Sequence, residues 1–156
     1  MDTISFHAMT DLENAEEVAA MMRLLYEEDE AASTVDVSRF PSSIKHLISH
    51  PSSGQIILFR AGSELRGYAL LVPYWSNEFG GTLLFVDELF VVPGARNRGV
   101  GRSFFRYLEQ QRPFSPVRIA LEVSPRNTRG RRLYESLGFV QRRHVTLTRP
   151  VLNNPA

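Results

Sequence analysis

The chain has 156 residues, about the size of one domain, with 43% hydrophobic and 22% charged side chains, the make-up of an ordinary globular protein. Having no cysteine, it can hold no disulfide, thiolate metal site or cysteine nucleophile, and no apolar run reaches the ~18 residues of a membrane-spanning helix. The net charge of +1 hides a split: residues 1–93 carry 14 acidic and 5 basic side chains, a balance of −9, whereas residues 94–156 carry 3 acidic and 13 basic, a balance of +10.

The opening "MDTISFHAMTDLENAEE" lacks the basic-then-apolar pattern of a secretory leader, so the expected location is cytoplasmic. "TISFHA" reads as a short strand. Asp11 is placed to cap a helix in which Leu12, Ala15, Val18, Ala19, Met22 and Leu25 recur at helical spacing, ending near the acidic run Glu27 to Glu30. A shorter helix is expected over 42–49, closed by Pro51 and the glycine after it. The period then changes. "QIILFRAG", "LRGYALLVPYW" and "GTLLFVDELFVV" are β-rich runs separated by turn residues, the first two a hairpin. Tyr74, Trp75 and Phe79 flank the loop before the third of these runs, as a hairpin tip or a specificity loop.

From Gly99 the spacing is helical again, with Val100, Phe104, Tyr107 and Leu108 on one side until Pro113. "VRIALEVS" is a buried strand, "NTRGRRLYESLG" a helix closing on Gly138, and "FVQRRHVTLTRPV" a last strand. The order βαα-βββ-αβ-αβ predicts one α/β domain over 1–150 with a mixed sheet, followed by a loose tail over 151–156.

Between the fourth strand and the third helix lies "ARNRGVGR". Glycines let a ligand approach the backbone, and a helix start presents unpaired N–H groups at the positive end of its dipole, so the loop reads as an anion seat, the alternative being a strand-to-helix turn with solvated arginines. Arg96, Arg98 and Arg102 would add charge-assisted hydrogen bonds to phosphate. It is not a P-loop, because Gly101 is followed by Arg102 rather than Lys and Ser or Thr, and it lacks the three glycines of a dinucleotide-binding turn.

"RNRGVG" resembles the arginine/glutamine-x-x-glycine-x-glycine loop of the GNAT superfamily of N-acetyltransferases, "DELFVVP" the strand before it, and "NTRGRRLYESLGF" the helix after it. The resemblance is clear from about Leu83 to Val140. It implies a mixed, mostly antiparallel sheet of six to seven strands flanked by about four helices, and acetyl-CoA as cosubstrate. Leu89, Phe90 and Val91 would bond the pantetheine arm like an added strand, and the amides of Arg96, Asn97, Arg98, Gly99, Val100, Gly101 and Arg102 would cradle the pyrophosphate. It further implies that Asn127 contacts the cofactor, that Tyr134 serves the departing sulfur, and that a backbone N–H near Val91 polarises the carbonyl. Gly130 departs from the family's usual alanine, at a cost to the helix of about 1 kcal/mol.

Acetyl transfer to an amine needs a group to take the ammonium proton, and Asp87 and Glu88 are the candidates. Strand alternation sends one toward the cleft and the other to the opposite layer, with Glu88 preferred for the cleft. The competing reading of either is a partner for one of the many arginines.

His7, His46, His50 and His144 form no metal-ligand spacing with Asp or Glu, so no metal is expected. Ser124 sits in "EVSPRN", outside any nucleophile elbow. The arginines of the second half lack interleaved aromatic platforms, which argues against nucleic acid. The expected function is N-acetylation of a small cationic amine or a peptide amino group, with a non-catalytic acyl-CoA sensor as the alternative and a homodimer as the candidate assembly.

Overall fold

A computed structural model describes residues 3–29 and 35–151. Glu30, at the end of the acidic run, and the tail residues 152–156 lie outside that range. The elements are β1 (Ile4–Ala8), α1 (Ala15–Glu28), α2 (Phe40–Ser49), β2 (Gln55–Ala61), β3 (Glu64–Ser76), β4 (Gly81–Val91), α3 (Val100–Gln111), β5 (Arg118–Leu121) and α4 (Thr128–Ser136), with short 3₁₀ turns at Val37–Arg39 and Pro93–Ala95.

The five strands lie in chain order, antiparallel from β1 to β4, with β5 parallel to β4. One face buries Ile56, Leu58, Tyr68 and Phe90 under Val18, Met21 and Met22 of α1 and Phe40 and Ile44 of α2. The other buries Ile57, Phe59, Leu71, Leu84 and Val86 under Val100, Phe104, Phe105 and Leu108 of α3, with Leu137 and Phe139 at the end of α4 packed alongside. A helix on each side of a sheet that alternates at period two is what the apolar spacing predicts.

Two expectations need correction. The first helix begins at Ala15 rather than at Asp11. Asp11 instead accepts from the Glu13 N–H in a local turn, and the first helical bond runs from the Val18 N–H to the Asn14 carbonyl. More consequentially, the sheet has five strands, not six to seven: residues 139–151 form no strand. Val140, Val145, Leu147 and Val151 there are each at least 78% exposed. The segment is tied to the domain by side chains, with Arg142 on Glu78 and the Thr146 hydroxyl on Glu122. β5 offers only four residues of edge, and β-propensity without a partner ladder does not make a strand.

Candidate functional site

β4 carries the site because its two ends are built differently. Its pairing with β5 runs from Leu83↔Arg118 to Val86↔Leu121 and stops, so from Asp87 onward the edge of β4 facing β5 has no partner strand. The Val92 N–H donates to the Arg66 carbonyl of β3 at 2.9 Å. Successive N–H groups point to opposite edges, so those of Leu89 and Val91 face the gap.

A β-bulge sits at the same place. β3 pairs Leu71 with Val86 and Leu70 with Glu88, leaving Asp87 as the extra residue. Before the bulge Leu84 and Val86 face the α3 layer, and after it Leu89 and Val91 do, while Glu88 and Phe90 turn to α1. The bulge interrupts the strict alternation on which the expectation that Asp87 and Glu88 face opposite layers rests.

Their surroundings differ sharply. Glu88 is only 7% exposed and accepts from the Tyr26 hydroxyl at 2.8 Å and the Tyr68 hydroxyl at 2.7 Å, one on each oxygen. Burial lifts its carboxyl above the usual range despite those two bonds, which favour the ionised form. Asp87 lies at the surface where the strands part. Protein packed around it, and then the carboxylate of Glu122, hold its carboxyl above the ordinary value. Glu122 directly follows Leu121, the last paired residue of β5, as Asp87 directly follows Val86. The two carboxylates thus flank the point of divergence.

Beyond β4 the chain turns through Asn97 (φ 61°) and Gly99 (φ 78°), both left-handed, and enters α3 at Val100. Gly99 is the N-cap, a backbone shape that a side chain would strain. Gly101 is needed for another reason: a Cβ there would lie 2.8 Å from Cδ2 of Leu133, so the missing side chain lets α4 close against the start of α3. Asn127 caps α4 by accepting from the Gly130 N–H at 2.8 Å.

These pieces line one cleft of about 290 Å³. Of the residues singled out from sequence, Leu89, Phe90, Val91, Arg96, Asn97, Gly99, Val100, Gly101, Arg102, Asn127 and Tyr134 border it; Asp87, Glu88 and the exposed Arg98 do not. Tyr134 packs edge-on against Phe105 and Phe139, and burial pushes its phenol above the ordinary value. Among the described residues no hydrogen bond reaches its hydroxyl. Arg96 does not point its charge at open space. Its Nε donates to the Val91 carbonyl at 2.7 Å and its terminal nitrogen to both oxygens of Glu28 at 2.7 and 2.9 Å. Tyr74 and Trp75 lie near the end of β3, and Phe79 lies beneath Arg118 and Arg142; none lines the cleft.

Leu25, Glu28, Ala95, Arg129, Gly130 and Leu133 also line the cleft and were not singled out from sequence. Arg129 left a signal, since a cation in the first turn of a helix opposes the dipole and suggests an anionic neighbour. The others left none, because their place depends on how α1 and α4 pack.

A model of the acetyltransferase (GNAT) family matches residues 9–139, and the chain belongs to that family. Among solved structures it is similar to a possible acetyltransferase from Clostridium difficile 630, at 18% identity over 96% of this chain and 99% of that one, with a TM-score of 0.81. It is also similar to the aminoglycoside N-acetyltransferase AAC(6')-Iy in complex with a bisubstrate analog, CoA-S-monomethyl-acetylneamine, at 17% identity over 96% and 99%, with a TM-score of 0.76. A ribosomal-protein-alanine N-acetyltransferase from Brucella melitensis biovar Abortus 2308 follows at 16% over 94% and 99%, with a TM-score of 0.72. At these identities the likeness establishes the fold. No curated protein matched the chain in sequence. Among the described residues no helix is long and apolar enough to cross a membrane, and no three His, Asp or Glu gather as a metal site.

Proposed function

We propose that the chain is an acetyl-CoA-dependent N-acetyltransferase acting by direct attack of a primary amine, with a small cationic amine or a peptide amino group as acceptor. One observation carries this reading: the unpaired edge of β4 continues, along a single cleft, into a left-handed turn and the open N-terminus of α3. That sequence of donors fits an amide-bearing arm followed by a diphosphate.

Acetyl-CoA supplies an acetyl group activated as a thioester. The Leu89 and Val91 N–H groups align the arm, and the amides from residue 96 to 102 take the diphosphate, with Arg102 and Arg129 adding charge at the same cleft. Asp87, exposed on β4 two residues before the cleft-lining Leu89, accepts a proton from the incoming ammonium directly or through one water. Glu88 is less suited, since both its oxygens are held by tyrosines; its part is to fix α1 against β4. The neutral nitrogen bonds to the acetyl carbon as the carbon–sulfur bond breaks, and the electron pair leaves on sulfur. The Val91 N–H polarises the carbonyl, and the Tyr134 hydroxyl donates a hydrogen bond to the departing sulfur. Asp87 and Glu122 together favour a cationic acceptor.

Thiol release from acetyl-CoA, measured across polyamines, aminoglycosides, amino acids and N-terminal peptides, tests the reading. Turnover with at least one cationic amine is expected, and Tyr134→Phe should lower it on the order of tenfold while acetyl-CoA binding holds. Binding without turnover on any acceptor would reject the catalytic reading in favour of an acyl-CoA sensor.

A further inference from the structure

The sequence assigns Arg96 to phosphate, but the structure gives its guanidinium other work. Two of its three nitrogens are engaged with two elements at once: Nε donates to the Val91 carbonyl at 2.7 Å, and one terminal nitrogen donates to both carboxylate oxygens of Glu28 at 2.7 and 2.9 Å. The same group lies 5.3 Å from the centre of the Phe90 ring. The Arg96 side chain is only 20% exposed, whereas that of Glu28 is 48% exposed, so the guanidinium is seated in the protein and the carboxylate reaches it from the surface.

Val91 closes β4. The peptide joining it to Val92 is gripped on both edges, since the Val92 N–H donates to Arg66 on β3 and the Val91 carbonyl accepts from Arg96 on the side of the gap. Leu25 and Glu28, at the last turn of α1, stand on the other wall of the same cleft. One side chain therefore holds three walls in register: the end of β4, the end of α1 and the turn to which Arg96 belongs. To swing onto a phosphate it would give up the part-buried bond to the Val91 carbonyl and release Glu28 from β4.

Resting on the function proposed above, we infer that Arg96 is a positioning residue, pinning the last peptide of β4 and the last turn of α1, and that the phosphates are left to backbone amides, Arg102 and Arg129. Orientation of the Val91 N–H at the acetyl carbonyl then depends on Glu28, a residue far from it in sequence.

Arg96→Lys, Glu28→Ala and the double variant test this. Lysine keeps the charge that a phosphate needs but not the fork. The strap requires both single variants to lower kcat about tenfold, with the acetyl-CoA Kd by calorimetry changed less than about threefold, and the double variant no worse than the poorer single one. A Glu28→Ala variant with wild-type kcat overturns the inference. So does an Arg96→Gln variant whose Kd rises about tenfold with a flatter salt dependence, the signature of a lost phosphate contact. A second arm needs no activity: in the ligand-free protein, amide hydrogen exchange over residues 25–28 should quicken in Arg96→Lys, and unchanged exchange counts as refutation. If the wild-type chain fails to bind acetyl-CoA, the proposed function falls, and the exchange arm alone decides the strap.

Discussion

Asp87 is a carboxylate whose chemistry depends on a second one, Glu122, across the parting strands. Neither the bulge at Asp87 nor the end of β4–β5 pairing beside Glu122 has a local sequence signature, although the residues themselves are plain to see. Glu122 raises the Asp87 carboxyl, second to burial. Removing its charge lowers the pKa of Asp87, so more of the base is ionised at a given mildly acidic pH. The acid limb of kcat/KM in Glu122→Gln should therefore move to lower pH, with the plateau near neutrality little changed; a limb that stays put would remove Asp87 as the titrating base. The sequence made the pair 87 and 88 visible but could not say which was open, because alternation holds only for an uninterrupted strand. A buried carboxylate held by Tyr26 and Tyr68 could not be foreseen, for its two partners come from 62 and 20 residues away.

At the scale of elements, the helix starting after Asn127 shows how capping shapes the cleft. The Asn127 side chain bonds the Gly130 N–H, and a Cβ at residue 130 would come within 2.7 Å of that same side chain. The glycine that costs helix propensity thus makes room for the cap, and the two must be read together. Asn127→Ala should cost about 1 kcal/mol in urea unfolding and weaken acetyl-CoA binding as the first turn of α4 loosens. An unchanged unfolding free energy would show the cap to be idle. Most elements were legible, since hydrophobic period separates the helices from β2, β3 and β4 cleanly. The sixth strand was not. Val140, Val145, Leu147 and Val151 suit a strand, but the arginines between them and the short edge of β5 leave that pattern without a ladder to join.

For the molecule as a whole, the charge split becomes a division of labour. Ion pairs such as Arg96 to Glu28 and Arg142 to Glu78 stitch the acidic part to the basic part, so some of the asymmetry is internal neutralisation. Among the described residues Arg98 and Arg129 pair with no carboxylate, and Arg102 meets only the Ser136 hydroxyl. These leave a positive field around the turn into α3. The KM for acetyl-CoA should rise severalfold between low and about 0.5 M salt while kcat holds, and a salt-independent KM would place the polyanion elsewhere.

The single unpartnered residue in β4 also sets a rule for anyone redesigning this enzyme. One extra link in the chain reverses the parity of the strand, so even-numbered positions look toward α3 up to Val86 and odd-numbered ones do so from Leu89 onward. A mutagenic library that varies every second codon across the whole strand would sample one side of the sheet in its first half and the other in its second. Positions facing α3 must be varied with opposite numbering on the two sides of Asp87, and deleting one codon there would exchange the faces of the residues beyond it.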